Sequence, residues 1–178
     1  GVKVLGIDPG SDRTGYGCVE TDGSRHRLVT CGAVTTRGAA EFVDKLLTIH
    51  HEIARLVDLC RPEWVAVENV FTAVNSRSAL KLGHVRGVTM LAAAEAGVRV
   101  AEYTPAEVKR AVVRYGRAEK HQVQQMVKLL LGLTAAPAPH DAADALAIAI
   151  CHLNHLGPVR HAAGSLVPRG TAWRRLRP

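Results

Sequence analysis

Aromatic side chains are scarce in this chain of 178 residues, where they make up only 4% of the sequence. Proteins that hold single-stranded nucleic acid without sequence preference stack its bases on such side chains. A surface built on extensive base stacking is therefore not expected. Any nucleic acid bound by the chain should be held mainly through its phosphates.

Cysteine is also sparse, and its spacing does not suit metal or redox chemistry. The four cysteines are far apart, and no two of them form the Cys-x-x-Cys pair typical of zinc sites and redox centres. They are Cys18, Cys31, Cys60 and Cys151. We expect all four to be reduced.

Long apolar runs are missing as well. The stretch 142–150 is interrupted by Asp144 and falls far short of the ~20 residues that a bilayer-spanning helix needs. The N-terminal residues become polar too soon for the apolar region of a secretory signal. These absences predict a cytoplasmic protein with no membrane partner.

Positive charge is what the composition has in excess. Lysine and arginine number 23 against 16 acidic residues, which gives a formal net charge of +7 and an isoelectric point near 9.6. Such a charge favours an anionic partner, and nucleic acid is the leading candidate, although charge alone does not identify it.

Hydrophobic periodicity predicts an α/β fold with a five-stranded mixed sheet flanked by helices. The predicted strands cover 2–7, 16–20, 28–34, 64–67 and 98–103. The predicted helices cover 42–59, 78–96, a segment opening at Pro105, 119–131 and 140–155. The first three strands should form an antiparallel meander. We expect one domain over residues 1–155, followed by a flexible tail over 156–178 that holds five arginines and no acidic residue.

Four carboxylates are candidates for a shared site. Asp8 and Glu68 each end an apolar strand, whereas Asp141 and Asp144 are three residues apart on one helix face. If the two strands are neighbours, all four can converge. Each acid also has an ordinary structural explanation, since Asp8 could begin a turn, Glu68 could be a solvated strand end and Asp141 suits a helix N-terminus.

Asp144 is the hardest of the four to explain as a surface residue. Small or apolar residues surround it from Ala142 to Ala149, so the carboxylate should face packed protein. A buried charge needs a hydrogen-bonding partner, a proton or a cation. Because the candidate ligands are all oxygen atoms, Mg²⁺ or Mn²⁺ would suit the site better than zinc.

Several motifs, in this order along the chain, resemble those of the RuvC family of crossover junction endodeoxyribonucleases, the Holliday-junction resolvases. They are Leu5-Gly6-Ile7-Asp8-Pro9-Gly10-Ser11, Thr14-Gly15-Tyr16-Gly17, Val67-Glu68-Asn69-Val70-Phe71, Thr104-Pro105-Ala106-Glu107-Val108-Lys109, Glu119-Lys120-x-Gln122-Val123 and Asp141-Ala142-Ala143-Asp144-Ala145-Leu146-Ala147. Each motif alone is weak, but the ordered set is specific, and it extends from about residue 2 to residue 155.

The resemblance implies an RNase H-like resolvase domain that works as a homodimer and makes paired symmetric nicks in four-way junction DNA. By position, Asp8, Glu68, Asp141 and Asp144 match the catalytic, metal-binding acids of the family. It also implies two Mg²⁺ ions per active site, for which Mn²⁺ can substitute, and RuvA and RuvB as branch-migration partners. The segment 78–96 matches the stretch that pairs subunits in the family, although packing on the sheet would also explain its composition.

The resemblance further implies three DNA-binding residues, namely Phe71, Lys109 and Lys120. Arg77, which is not part of these motifs, is a fourth candidate because its charge could widen the basic face. Phe71 could instead pack in the core, and lysines on helices are usually just solvated. Some family members carry histidine at the position of Asp141, whereas here His140 precedes an aspartate. We interpret His140 as a loop or helix-cap residue and assign it no catalytic role.

Three other functions compete with this interpretation. An RNase H-like nuclease acting on another branched or hybrid nucleic acid would use the same acids and metals. A sugar-kinase-like ATPase shares the opening Gly-Ile-Asp-Pro-Gly loop, but such proteins normally need two such domains, for which 178 residues are too few. A non-catalytic binding module would explain the basic charge but not the complete set of acids.

Overall fold

The computed structural model describes residues 1–69 and 75–157 of the chain. Within this part the strands are β1 (Val2–Asp8), β2 (Arg13–Thr21), β3 (His26–Thr35), β4 (Trp64–Glu68) and β5 (Arg99–Tyr103). The helices are α1 (Phe42–Cys60), α2 (Ser76–Glu95), α3 (Pro105–Val113), α4 (Lys120–Leu130) and α5 (His140–Leu156). All the predicted strands and helices are present, with small shifts at their ends.

The five strands form one mixed sheet in the order β3-β2-β1-β4-β5. The pairs β3-β2 and β2-β1 are antiparallel, as expected for a meander, whereas β1-β4 and β4-β5 are parallel. The C-terminal ends of β1, β4 and β5 therefore lie at one edge of the sheet. Because β2 runs the opposite way, its first residue lies at that same edge.

Helices cover both faces of the sheet. On one face α1 and α2 pack against Leu5, Ile7 and Val65, and on the other α3, α4 and α5 pack against Val4, Val19 and Ala66. Alternate residues of each strand thus point into two separate apolar cores, as the pleat of a strand requires. The fold is confirmed as α/β with a mixed sheet between helices.

Local signals fix the starts of the helices that follow β4 and β5. Thr104 accepts a hydrogen bond from the Glu107 amide at 3.3 Å, and the Glu107 carboxylate accepts one from the Thr104 amide at 2.7 Å. This capping box, with Pro105 in the first turn, begins α3 directly after β5. Asn75 caps α2 in a similar way, by accepting a hydrogen bond from the Ser78 amide at 2.9 Å.

Within residues 1–69 and 75–157, no helix is long and apolar enough to cross a bilayer. The predicted basic tail, 156–178, lies outside the described residues from residue 158 onward. The predicted domain extent of 1–155 remains a prediction.

Candidate active site

Two of the predicted acids lie side by side at the sheet edge. Asp8 is the last residue of β1 and Glu68 the last residue of β4. The two strands are parallel neighbours, with Ile7 opposite Val67 in the register. Asp8 and Glu68 are the next residues along each strand, so the pairing brings the two carboxylates together.

Helix α5 adds the other two acids because it lies directly on the backbone of β1 and β2. A Cβ atom on Gly15 would be 2.1 Å from the carbonyl oxygen of Asp141, and one on Gly6 would be 2.0 Å from that of Ala145. Only glycine permits this close approach. Gly15 is also the register partner of Asp8, so the contact sets the start of α5 beside the strand end.

Three helices begin around the acids and enclose a cleft of about 340 Å³. Its lining includes Asp8, Glu68, Lys109, Lys120, Val123 and Asp144. α3 and α5 contribute residues from their first halves, and α4 contributes residues from its first turn. The cleft thus gathers residues from five separated stretches of the chain.

Burial and neighbouring negative charges make Asp8 and Glu68 difficult to ionise. The pKa of Asp8 is raised to about 8, first by burial and then by the charges of Glu68, Asp144 and Asp141. Burial, followed by the charge of Asp144, also raises the pKa of Glu68, while a hydrogen bond with Asp8 opposes that rise. The neutral carboxyl of Asp8 can therefore donate a hydrogen bond to the Glu68 carboxylate.

Two cations neutralise the acids of α5. Lys120 Nζ lies 2.6 Å from Asp144 Oδ2, and this hydrogen bond raises the pKa of the lysine. Arg13, the first residue of β2, lies 3.4 Å from Asp141 Oδ2 through its Nη1 atom. Lys109 lines the cleft and lowers the pKa of Glu68. Arg13 was missed at the sequence level because β2 was expected to begin at residue 16.

The other predicted site residues lie farther from the acids or outside the described ranges. Phe71 falls within residues 70–74, outside the described residues. Arg77 is exposed in the first turn of α2 and is not among the residues that line the cleft. His140 is the first residue of α5, and its Nδ1 atom lies 3.1 Å from Gln124 Nε2 on α4. His140 thus contacts α4, while the charge of Asp141 acts on Asp8.

The donor atoms suit a divalent cation that prefers oxygen. Four carboxylates surround the cleft or its rim, and such ligands favour Mg²⁺ or Mn²⁺. In residues 1–69 and 75–157, no group of three or more His, Cys, Asp or Glu side chains is already arranged to hold a metal ion. A metal would therefore have to draw the acids together and replace Lys120 on Asp144.

A larger cavity lies at the other end of the same helices. It has a volume of about 740 Å³, and Arg110, Leu130 and Asn154 from the C-terminal halves of α3, α4 and α5 are part of its lining. None of its described lining residues carries a carboxylate. The smaller cleft, with its acids and lysines, is therefore the candidate active site.

Known proteins similar to this chain share both its sequence and its fold. The family model described as crossover junction endodeoxyribonuclease RuvC matches residues 4–152. The RuvC protein of Koribacter versatilis is 54% identical over 154 residues, which cover 86% of this chain and 93% of that protein.

Two solved structures extend the similarity to three dimensions. The Thermus thermophilus RuvC structure matches with a TM-score of 0.80 at 39% identity, and the match covers 87% of this chain and 95% of that chain. T. thermophilus RuvC in complex with Holliday junction substrate matches with the same TM-score and coverage at 36% identity. With the family model matched across every strand and the acidic cleft, this chain belongs to the RuvC family of crossover junction endodeoxyribonucleases.

Proposed function

We propose that this chain resolves Holliday junctions by paired symmetric nicks, in recombination and DNA repair, and that Asp8, Glu68, Asp141 and Asp144 are its catalytic acids. The observation that carries the proposal is the convergence of acids from β1, β4 and α5 on one cleft bordered by Lys109 and Lys120. The T. thermophilus relative has been solved with a Holliday junction, which supports four-way DNA as the substrate class.

The proposed chemistry is hydrolysis of a phosphodiester bond to leave a 5′-phosphate and a 3′-hydroxyl. Two Mg²⁺ ions held by the four acids would activate water and stabilise the leaving 3′-oxygen in an in-line displacement. The charges of both Glu68 on β4 and Asp144 on α5 act on Asp8, so its carboxylate is the one proposed to serve as the shared ligand. It must lose its proton to do so.

The cations of the cleft wall have a separate role in this proposal. Lys109 on α3 and Lys120 on α4 would contact the scissile phosphate, since both face the cleft that holds Asp8 and Glu68. Lys120 would leave Asp144 when the acids bind metal. Arg77 at the start of α2 would contact a DNA arm, and by family resemblance Phe71 would insert near the crossover.

A second copy of the chain is proposed to pack on α2. One face of this helix presents Leu80 and Leu91, which are 66% and 53% exposed, on either side of Gly83 and Gly87. A Cβ atom on either glycine would meet nothing within 4 Å, so another helix could approach closely. Two-fold pairing would place two equivalent clefts on a two-fold-symmetric junction. RuvA and RuvB are the further partners that family resemblance suggests, and the cytoplasm is the proposed location.

The decisive experiment is a cleavage assay with a mobile four-way junction and mapped cut positions. We expect Mg²⁺-dependent nicks at symmetric positions on two opposed strands, and no comparable cutting of duplex DNA or of an RNA–DNA hybrid. Preferential cutting of the hybrid would instead support a different RNase H-like nuclease. Asymmetric or metal-independent cutting would contradict the proposal.

Asp8→Asn is the matched catalytic control for this assay. We expect it to lower cleavage by at least ~10³-fold, because a neutral amide replaces a metal-binding carboxylate, while junction affinity is retained. Band-shift titration checks the affinity, and circular dichroism checks the fold. Loss of both cleavage and binding in a folded variant would count against the assignment of Asp8 to metal binding.

A further inference from the structure

The sheet topology places one arginine beside the acids on the side away from the lysines. β2 runs antiparallel to β1, so its first residue, Arg13, lies at the edge where β1 ends in Asp8. Across the sheet the order is β2, β1, β4 and β5, and α3 follows β5. Arg13 therefore borders the acids on the β2 side, whereas Lys109 and Lys120 border them on the side of α3 and α4.

The backbone before Arg13 is held in place by two buried threonines. Thr14 Oγ1 donates a hydrogen bond to the Gly10 carbonyl at 2.8 Å, and Thr36 Oγ1 donates one to the Ser11 carbonyl at 2.5 Å. The Thr36 amide adds a bond to the Asp12 carbonyl at 3.1 Å. The base of the Arg13 side chain is thus fixed although the residue lies at the protein surface.

The guanidinium itself is only loosely engaged. Its one described ion pair is the 3.4 Å contact with Asp141, and the Arg13 side chain remains 44% exposed. An arginine has five N–H donors, so most of them are free to bind another acceptor. Arginine is never neutral in proteins, and its planar donors match the oxygens of a phosphate.

We propose that Arg13 is a DNA-phosphate-binding residue on the β2 side of the cleft, held by Asp141 until DNA and a divalent cation arrive. The inference rests on the proposed function in taking DNA as the substrate. A divalent cation on Asp141 competes with the guanidinium for the same carboxylate and releases it. A strand crossing the acids then meets Lys109 and Lys120 on one side and Arg13 on the other.

The test compares Arg13→Gln with wild type in the full chain. Binding of a fluorescent four-way junction and of a linear duplex is measured by anisotropy over a series of salt concentrations. Ca²⁺ is present because it binds oxygen ligands without the strict octahedral geometry that Mg²⁺ demands, and a gel verifies that the DNA is uncut. The plot of log K against log salt has a negative slope, and loss of one phosphate contact should make that slope shallower by about 0.9.

Two further variants separate a phosphate contact from a general effect of charge or structure. Arg55→Gln removes an arginine of similar exposure that pairs with Glu52 on α1, on the opposite face of the sheet, and should leave the slope unchanged. Arg13→Lys keeps the charge and should keep the wild-type slope. The proposal is overturned if both Arg13 substitutions make the slope equally shallower. It is also overturned if Arg13→Gln leaves the slope as steep as in wild type.

Binding of Mn²⁺ without DNA, followed by electron paramagnetic resonance, gives an independent readout. Arg13→Gln should bind Mn²⁺ as tightly as wild type or several-fold more tightly, since Asp141 loses a competing cation. Weaker Mn²⁺ binding would mean that Arg13 orients Asp141 for the metal, which overturns the proposed role. If wild type shows no preference for the junction over the duplex while Arg13→Gln still makes the slope shallower, the proposed function fails and the role of Arg13 stands.

Discussion

Asp8 shows at the scale of one residue how a site can oppose the stability of its own fold. Its pKa is about 8 because burial and the neighbouring acids disfavour the charged form. A carboxyl whose pKa is higher in the folded chain than in the unfolded chain binds more protons when folded. Raising the pH therefore destabilises the protein from about the ordinary pKa of 3.8 up to about 8, where the loss is complete.

Removal of this carboxylate should stabilise the protein. We expect Asp8→Asn to unfold at a higher temperature than wild type, because the amide cannot acquire the buried charge. The gain should grow between about pH 4 and pH 8 and then level off. Calorimetry at a series of pH values with a chelator present measures it, and a gain that shrinks with rising pH would contradict the explanation.

Asp22 serves as a control because its pKa is shifted in the opposite direction from that of Asp8. Its pKa is lowered to about 2, mainly by hydrogen bonds from the Ser24 and Arg25 amides at 2.8 and 2.9 Å. A lowered pKa contributes stability at neutral pH that is lost as the pH falls through the folded value. Asp22→Asn should therefore destabilise the chain at pH 7, and the difference should fade as the pH falls toward 2.

At the scale of an element, the position of α5 decides whether the acids meet. The helix carries Asp141 and Asp144, but the surface on which it rests belongs to β1 and β2. Gly15 and Gly6 allow helix and sheet to touch through their backbones. The geometry of the acidic cleft therefore depends on residues that have no side chain in it.

Gly15→Ala should separate the start of α5 from the end of β1. The added methyl group would overlap the Asp141 carbonyl, so the helix must shift, and overpacking of this kind typically destabilises by about 1–3 kcal/mol. We expect junction cleavage to fall by at least ~10²-fold, because displacements of about an ångström can have that effect on catalysis. Cleavage rates and urea unfolding measure the two effects.

Gly32→Ala is the matched control for that substitution. Gly32 lies in the same sheet, but its added methyl group would first meet the hydroxyl of Tyr16, the far end of a side chain. That side chain can move, whereas a helix backbone cannot do so without taking the acids with it. Cleavage should stay within a few-fold of wild type, and equal losses in the two variants would contradict a specific role for Gly15.

The sequence predicted the elements and the acids but not the contacts between them. Period-two and helical patterns are local, so the strand leading to Asp8 and the helix with Asp144 could both be recognised. The role of Gly15 depends on a helix more than 120 residues later, and no local pattern reports that distance. Arg13 was missed for a related reason, since polar residues at the start of β2 resemble a loop until β1 is known to lie beside them.

At the scale of the whole molecule, the proposed paired cutting would need two copies held in a fixed relation. The exposed leucines and open glycines of α2 lie on one face, while the other side of the helix packs on α1 and the sheet. The same leucine-to-charge change on two helices can test whether this face pairs the subunits.

Leu91→Glu should yield a monomer and Leu59→Glu should not. The two leucines are 53% and 65% exposed, but only Leu91 lies on the proposed face of α2. In Leu91→Glu the interface would bury one new carboxylate from each copy, which is unfavourable because neither would have a hydrogen-bonding or cationic partner. Analytical ultracentrifugation reports the assembly, and Leu91→Glu should convert paired nicks into uncoupled single nicks. A Leu91→Glu protein that remains dimeric would exclude this face as the interface.

The common starting point of α3, α4 and α5 has a consequence for how the cleft attracts phosphate. Aligned peptide groups give each helix roughly half a positive elementary charge at its N-terminus. Residues near the N-terminal ends of all three helices line the cleft, so the main chain adds positive potential to a cleft that also holds three carboxylates. No side-chain substitution removes that contribution, which would still favour a phosphate beside the acids if the lysines were replaced.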